Sequence, residues 1–267
     1  LFDSFILASG FIYFYLKNLR HSEQPERQSV PNAESSFTWK FNKSTAFSLL
    51  QDSWPLILSG IVISIYMKID QVMIKEMMNV EAVGQYAAAV RLSEAWYFIP
   101  MAIASSLFPS IINAKKVSEK LYLERLQRLY SLMVWLAIAI ALPMTFLSDW
   151  VVNLLYGNGY QEAGSVLMIH IWTGVFVFLG VAFSHYLIVE NLMMKSFYRT
   201  ALGTILNIIF NFILIPKYGI YGAAIATLLG QMAANLIYDI FDKSLWSQLK
   251  MKLKAIFPIY LIRGVQK

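Results

Sequence analysis

The chain has 267 residues, of which 58% are hydrophobic and only 14% are charged, and its formal net charge is +6. The core of a soluble protein cannot use that much apolar surface, so the composition indicates a membrane protein. The absence of cysteine excludes disulfides and thiolate metal sites. The three histidines are scattered and form no ligand cluster, so we expect no metal.

The first 16 residues form an apolar run that begins without an initiator methionine, a basic region or a cleavage site. They do not match a signal peptide. We expect residues 1–16 to be the remnant of a transmembrane helix, and the chain to be the C-terminal part of a longer protein. Residues 17–43 are polar, carry Pro25 and Pro31, and are predicted to be a cytoplasmic linker.

The apolar segments of residues 44–241 predict a bundle of six membrane-spanning helices. A helix needs about 20 mainly apolar residues to cross about 30 Å of hydrocarbon. Segments of that kind lie near residues 45–68, 85–112, 128–147, 165–188, 199–216 and 219–241. The predicted fold class is therefore all-α, a polytopic transmembrane helix bundle.

The basic residues divide the connections between these spans into two sides. Of the 22 Lys and Arg residues, all but four lie in the linker, in every second connection or in the C-terminal tail. The four exceptions are Lys68, Lys75, Lys217 and Arg91. Cytoplasmic loops carry an excess of Lys and Arg, so the linker and the C-terminus are predicted to be cytoplasmic. This topology explains the positive charge, Arg199 and Lys252 included, and no nucleic-acid partner is expected.

Residues 242–267 are predicted to form a cytoplasmic amphipathic tail. One helical face of this segment holds Leu245, Leu249, Leu253 and Ile256. The other faces hold most of the basic residues, Lys243, Lys250, Lys252 and Lys254. This pattern is typical of a helix that lies at the surface of the inner leaflet.

Arg91 is a charged residue within a predicted span. An ionised side chain at the bilayer centre costs about 2.5 to 3.5 kcal/mol, so such residues usually face a partner or a water-filled cavity. A guanidinium group binds phosphate oxygens through two parallel hydrogen bonds. We therefore predict that Arg91 contacts an anionic group of a substrate. The alternative is an internal pair with Glu94, three residues further along the same helix.

Asp70 and Glu94 are candidates for binding a coupling proton or sodium ion, as carboxylates in transporters often do. Asp70 also lies near the end of its span, where it would be an ordinary interfacial residue.

Polar residues also recur at intervals of four on the last two spans. Gln231 and Asn235 belong to one such stripe, which continues to Asp239, and Asn207 and Asn211 form another. These stripes line a water-filled path or form hydrogen bonds between the two helices. Beside the first stripe runs a face of small residues that allows close helix packing, Gly222, Ala226, Gly230 and Ala234.

Three stretches of the chain together resemble a known family. They are KIDQVMIKEMMNVEAVGQYAAAVRLSEAWYFIP (68–100), LLYGNGYQEAGSVL (154–167) and LNIIFNFILIPKYGIYGAAIATLLG (206–230). In this order and spacing they resemble bacterial polysaccharide-biosynthesis flippases. These are the O-antigen and capsule repeat-unit translocases of the multidrug/oligosaccharidyl-lipid/polysaccharide exporter superfamily.

The resemblance implies a twelve-helix transporter of two six-helix bundles, with this chain as the second bundle. Such a protein moves undecaprenyl-pyrophosphate-linked oligosaccharides across the bacterial inner membrane by alternating access, and it is not an enzyme. The substrate-binding residues would be Arg91, Glu94, Asp70, Gln231 and Asn235. The expected partners are membrane lipid, the lipid-linked oligosaccharide and the N-terminal bundle of the same protein, with glycan polymerase machinery as a further candidate.

Two other functions remain open on the sequence. A drug or organic-cation exporter of the same superfamily would have an acidic cavity. A membrane-embedded glycan polymerase or ligase usually carries its catalytic groups on a sizeable outer loop, whereas the outer connections predicted here are short.

Overall fold

The computed structural model describes residues 43–257, and all of its regular structure is helical. Residues 1–42, with the predicted helix remnant and nearly all of the linker, lie outside the described residues, as do residues 258–267. The α-helices are α1 (Lys43–Met77), α2 (Val80–Glu94), α3 (Phe98–Val117), α4 (Glu119–Tyr156), α5 (Gln161–His170), α6 (Thr173–Val189), α7 (Met193–Met232), α8 (Tyr238–Phe241) and α9 (Trp246–Ala255). Short 3₁₀ turns lie at Ala95–Tyr97, Asn158–Tyr160 and Lys243–Leu245, and a π-helix at Ala233–Ile237.

Within the described residues, α1 to α8 make six antiparallel passes. In a helical hairpin, residues equidistant from the turn lie side by side, and the contacts follow that rule. The Tyr86 hydroxyl donates to Asp70 across the turn that contains Asn79. The other turns show the same symmetry, in the pairs Ser110 with Arg125, Thr145 with Trp172, Ser184 with Arg199, and Asn207 with Gly230.

Several of these helices are long and apolar enough to cross a membrane. Judged by length and composition, three stretches qualify, Val80–Val117, Glu119–Tyr156 and Met193–Phe241. The pair Asn158–His170 and Thr173–Val189, bent by 47°, makes a fourth if it is one span. The stretch Met193–Phe241 contains two of the predicted spans, residues 199–216 and 219–241. The predicted class, an all-α polytopic membrane bundle, is confirmed.

The break inside α7 follows from its sequence. Gly219 has φ 58° and ψ −138°, a backbone conformation that residues with a side chain rarely adopt. Pro216, three residues earlier, removes a backbone donor from the same turn. The helix therefore folds back on itself at Gly219, and α7 consists of a first leg (193–218) and a second leg (219–232).

The interruption between α2 and α3 has a similar cause. Pro100 has no N–H, and in a continuous α-helix its ring would collide with the carbonyl of Trp96, four residues earlier. The chain instead forms a 3₁₀ turn at Ala95–Tyr97. As a result, α2 ends at Glu94.

The two legs of α7 pack in close contact, as the face of small residues predicts. An ideal Cβ placed on Gly222 would lie 2.3 Å from the carbonyl oxygen of Leu214, and one on Gly203 would lie 2.8 Å from that of Gly230. Both distances are too short for any side chain. The small residues therefore set the distance between the legs, and the predicted packing face is confirmed.

Helix α9 has a different orientation from the one that the sequence predicts. Its buried face holds Gln248, Lys252 and Ala255, whereas Leu253 and Ile256 are exposed. The prediction that Lys252 lies on the basic outer face is therefore wrong. The reason is a specific partner, because the ammonium group lies 2.6 Å from the Asp239 carboxylate inside the bundle.

We predict that Gly222→Ala destabilises the bundle by about 1 to 3 kcal/mol, because its methyl group would collide with backbone rather than with a movable side chain. Gly84→Ala is the matched control, since a Cβ at this helical glycine has no neighbour within 4 Å. The control should be neutral or stabilising by about 0.4 to 1 kcal/mol. Unfolding curves in detergent measure both changes, and equal stability of the two variants would contradict the packing analysis.

Candidate functional site

A cavity of about 120 Å³ lies among α1, α2, α6 and the two legs of α7, and it is the candidate site. This volume is enough for several water molecules. Charged residues line it at two levels. Asp70 marks one end of the cavity, the Asp70 end, Arg199 marks the other, the Arg199 end, and Glu94 also lines it.

The Asp70 end is built around a buried carboxylate. Asp70 accepts hydrogen bonds from the Tyr86 hydroxyl at 2.9 Å, from the Thr227 hydroxyl at 2.6 Å and from the Asn211 amide at 2.5 Å. The Tyr66 hydroxyl donates to the Thr227 carbonyl at 3.0 Å. Among the described residues, no cation lies within ion-pair distance of this carboxylate. The negative charge is thus held by neutral donors alone.

The amides beside Asp70 leave polar atoms without partners. The Asn211 amide group donates to Asn207 Oδ1 at 3.2 Å, while Asn211 Oδ1 and Asn207 Nδ2 are buried without a hydrogen bond. Rotating a side-chain amide by 180° exchanges the positions of its oxygen and nitrogen. Which of the two orientations is present is inferred from the surrounding hydrogen bonds. After such a rotation the Asn211 oxygen would face Asp70. This rotation would replace the hydrogen bond that Asn211 donates to Asp70 by an amide oxygen facing the carboxylate, an arrangement that needs a cation between the two.

This donor set is suited to a hard monovalent cation. Carboxylate, carbonyl and hydroxyl oxygens are the ligands that such ions prefer. Within the described part of the chain, no three His, Cys, Asp or Glu residues come together as a metal site. The single carboxylate of Asp70 with its neutral oxygen neighbours would balance one positive charge, either a proton or a monovalent ion.

Glu94 lines the same cavity from the last turn of α2. It is partly buried, and it interacts electrostatically with Lys68 and with Asp70, both on α1. Lys68 itself is exposed. Glu94 therefore lies between the buried carboxylate and a cation at the outer surface of α1 and α2.

At the Arg199 end, a buried guanidinium is held by neutral acceptors. Arg199 donates to Asn235 Oδ1 at 2.5 Å, to Ser184 Oγ at 2.6 Å and to the Gly180 carbonyl at 3.4 Å. Its Nε is buried without an acceptor. Asn235 in turn donates to Gln231, through both the carbonyl and the side-chain oxygen at 3.0 Å. Arg199 and Asp70 lie about 18 Å apart along the helix axes, because Arg199 is twelve residues before Asn211.

Four of the five predicted site residues line this one cavity, namely Asp70, Glu94, Gln231 and Asn235. Asp70 and Glu94 are close enough to interact electrostatically, whereas Gln231 and Asn235 lie beside Arg199. The polar stripes also form hydrogen bonds between helices, as Asn211 does with Asp70. Whether these residues bind substrate stays a prediction.

Arg91 does not line the cavity, which is a correction to the sequence analysis. The cavity face of α2 carries Tyr86, Val90 and Glu94 at intervals of four. Arg91 follows Val90 and is rotated about 100° away from that face. Its side chain is exposed, and within the described residues it forms neither an ion pair nor a hydrogen bond. The alternative, an ion pair between Arg91 and Glu94, is also absent among the described residues.

Sequence reasoning missed Arg199, which it placed in a cytoplasmic connection, although a signal was available. Arg199, Gly203, Asn207 and Asn211 are spaced by four and therefore share one helical face. Extending the asparagine stripe by two turns leads to Arg199. The hydroxyl groups of Tyr66, Tyr86 and Thr227 carried no comparable signal, because tyrosine and threonine are common throughout the spans.

Comparison with known proteins adds independent information. Residues 4–115 match the family model described as polysaccharide biosynthesis protein. The chain is 25% identical over 178 residues to Agl15 of Haloferax volcanii, a probable low-salt glycan biosynthesis flippase. It is 21% identical over 193 residues to CapF of Staphylococcus aureus, a capsular polysaccharide biosynthesis protein. These matches cover 65% and 72% of this chain but only 37% and 49% of the relatives, so the chain spans less than half of their length.

A solved structure shares the fold. The lipid II flippase MurJ, in its inward closed conformation, superposes with a TM-score of 0.61 at 17% sequence identity. The match covers 86% of this chain and 51% of MurJ. Together, the family match, the relatives and the shared fold confirm the predicted resemblance of this chain to the polysaccharide-biosynthesis flippases.

Proposed function

We propose that this chain is the second bundle of a flippase that moves a lipid-linked oligosaccharide from the cytoplasmic to the outer leaflet of the inner membrane by alternating access. The lipid carrier would be undecaprenyl pyrophosphate. The observation that carries the proposal is the charged cavity inside an apolar six-pass bundle, at the Asp70 and Arg199 ends. The named functions of Agl15 and MurJ support the same class of substrate.

The size of the cavity limits what can pass through it. A volume near 120 Å³ holds a few waters or one ion but not an oligosaccharide. The hydrated head of the substrate would therefore travel along the outside of this bundle, between it and the N-terminal bundle. We place the ion that drives the cycle inside the cavity, and the glycan outside it.

The outer face of α1 and α2 has the charge that such a path requires. Arg91 and Lys68 are both exposed, and the symmetry of the hairpin puts Arg91 level with residue 65, about one turn from Lys68. An arginine facing lipid at this depth would cost about 2.5 to 3.5 kcal/mol. We propose that this face borders a water-filled path and that Arg91 binds the diphosphate.

In the full-length protein, we predict that Arg91→Gln lowers the rate of glycan translocation at least tenfold, because a hydrogen bond to a charged group contributes about 1.5 to 3 kcal/mol. Arg91→Lys should be intermediate, since an ammonium group lacks the bidentate geometry. The measurement is flipping of a fluorescent lipid-linked oligosaccharide in proteoliposomes.

Arg128→Gln is the matched control for this experiment. Arg128 is also an exposed arginine on a membrane helix, α4, and it does not line the cavity. Its substitution should leave the flipping rate within about twofold, as expected for surface positions. If Arg91→Ala flips the lipid-linked oligosaccharide as fast as the unmodified protein does, binding of the diphosphate does not depend on Arg91.

We also propose that Asp70 binds the coupling cation, with sodium favoured over a proton by the oxygen groups of Asn207, Asn211 and Thr227. The Asn211 amide and the Thr227 hydroxyl lie 2.5 and 2.6 Å from the Asp70 carboxylate, and Asn207 lies 3.2 Å from the Asn211 amide. A proton would need only the carboxylate. Sodium would be favoured with the Asn211 amide rotated, so that its oxygen takes the place of the nitrogen that now donates to Asp70.

Asp70→Asn is expected to abolish saturable binding of radioactive sodium to the purified full-length protein, because it removes the one negative charge of this oxygen set. Glu81→Gln, at an exposed carboxylate in the first turn of α2, should bind sodium as the unmodified protein does. Sodium binding that survives in Asp70→Asn would contradict the assignment. Transport driven by a pH gradient alone would make Asp70 a proton site.

A drug or organic-cation exporter is the second candidate function, and the two carboxylates of the cavity are the observation that favours it. Organic cations would then compete with sodium at Asp70 and Glu94. A lipid-linked glycan would not be transported. Proteoliposome assays with both substrate classes distinguish the two functions.

A further inference from the structure

The buried positive charge of Arg199 has no negative partner of its own. Among the described residues, the guanidinium forms no ion pair, and its acceptors Asn235, Ser184 and Gly180 are all neutral. Only 6% of the residue is exposed. Taking a charge out of water is costly unless a counter-charge accompanies it. A neutral amide could make similar hydrogen bonds, so these bonds do not explain why an arginine occupies this position.

The Asp239 carboxylate, which interacts electrostatically with Arg199, already has another partner. Its Oδ2 atom lies 2.6 Å from the Lys252 ammonium group, and both side chains are wholly buried. The pair is neutral as a whole, whichever of the two groups holds the shared proton. Arg199, Lys252 and Asp239 together therefore leave one positive charge without a counter-charge at this end of the bundle.

One N–H group of the guanidinium also lacks a partner. Arg199 Nε is buried and has no acceptor among the described residues, because the hydrogen bonds that Arg199 donates all come from its two Nη atoms. Buried N–H groups in native proteins nearly always have a partner, which is an ordered water or an ion where the protein supplies none. Since Arg199 lines the cavity, the missing acceptor can come from the cavity.

The surroundings hold the guanidinium in one position at the cavity wall. The centre of the Phe183 ring lies 5.2 Å from it, a cation–π contact that stabilises its charge. Gly180 leaves room for the amide of Asn235, since a Cβ on Gly180 would lie 2.3 Å from Asn235 Oδ1. Asn235 itself lies in the π-helix Ala233–Ile237, a type of turn that occurs frequently at functional sites. A group fixed in this way binds a ligand at little cost in ordering.

Two hydroxyl groups beside Arg199 also line the cavity. Ser184 accepts a hydrogen bond from Arg199 at 2.6 Å, and Thr200 is the next residue of the same helix. Each hydroxyl donates to the carbonyl four residues earlier, at 2.9 Å for Ser184 and 2.8 Å for Thr200. Because a hydroxyl hydrogen rotates to suit its partners, either group can donate to an anion in the cavity instead.

We propose that the Arg199 end of the cavity binds one small monovalent anion, such as chloride, through the Arg199 Nε–H group and the hydroxyls of Ser184 and Thr200. One negative charge balances the one positive charge left over there. The small volume of the cavity excludes a glycan. The site lies about 18 Å from Asp70 along the helix axes. The inference goes beyond the proposed function, because the anion binds without the glycan.

Binding of radioactive chloride to the purified full-length protein tests the proposal. Gluconate replaces chloride in the buffers, so the sodium concentration and the ionic strength stay constant. The unmodified protein should bind chloride saturably. Arg199→Gln should weaken this binding at least tenfold, because it removes the charge that attracts the anion. Arg199→Lys keeps a positive charge and should bind chloride more tightly than Arg199→Gln does.

Arg128→Gln is the matched control, since it removes an arginine that is exposed and does not line the cavity. Its affinity for chloride should stay within about twofold of that of the unmodified protein. Equal chloride binding by the unmodified protein and by folded Arg199→Gln would overturn the proposal.

A second measurement covers the case in which Arg199→Gln does not fold. Bromide resembles chloride and is located in crystals by its anomalous scattering. Crystals of the unmodified full-length protein grown in bromide should show an anomalous peak within hydrogen-bonding distance of Arg199 Nε. A map without a peak at this position would overturn the proposal.

Competition identifies the class of anion. Unlabelled chloride and bromide should displace radioactive chloride, whereas gluconate, with six carbon atoms, should not. Displacement by inorganic phosphate at lower concentrations than by chloride would overturn the assignment to a monovalent anion.

The binding assay contains no glycan, so it separates this inference from the proposed function. Chloride binding as expected, in a protein that flips no glycan, would support the anion site and remove the proposed substrate. A protein that flips glycan but binds no chloride would remove only the anion site.

Discussion

The Asp70 carboxylate of α1 accepts hydrogen bonds from α2 and from both legs of α7, and this junction fixes the relative positions of four passes. In a lipid environment, helices do not associate through the hydrophobic effect, so polar contacts and close packing must hold them together. A buried carboxylate that loses one donor costs about 1 to 3 kcal/mol. The same junction places the Asn211 amide and the Thr227 hydroxyl directly against the carboxylate, so its structural role and the proposed cation site share the same residues.

The polarity of the cavity follows from where each helix begins and ends. The first leg of α7 carries Arg199 near its start and Asn211 three turns later, and the second leg returns with Thr227 beside Asn211 and Asn235 beside Arg199. The sharp turn at Gly219 is what brings these four residues into two levels. The hairpin thus supplies Arg199 at one level and the neutral partners of Asp70, which lies on α1, at the other.

Much of the fold could be predicted from the sequence, because apolar segments of sufficient length define the passes and the glycines of α7 define a packing face. The direction in which each side chain points could not be predicted equally well. Membrane helices are apolar on most faces, so periodicity does not identify the inward one. Arg91 and Arg199 illustrate the problem, since the first was placed at an inner site and the second in a connection. For Lys252, the compensating contact with Asp239 comes from another helix, thirteen residues earlier, and no spacing rule anticipates it.

Helix α4 runs without interruption for 38 residues, from Glu119 to Tyr156. At 1.5 Å per residue it is about 57 Å long, almost twice the hydrocarbon thickness of about 30 Å. Its first turns therefore extend beyond the apolar zone, and α9 packs against Gln127 and Tyr130 near that end of the helix. Over this length, a tilt of about 10° around the midpoint would displace each end by about 5 Å. A small rearrangement within the bilayer would in this way be magnified at the water boundary.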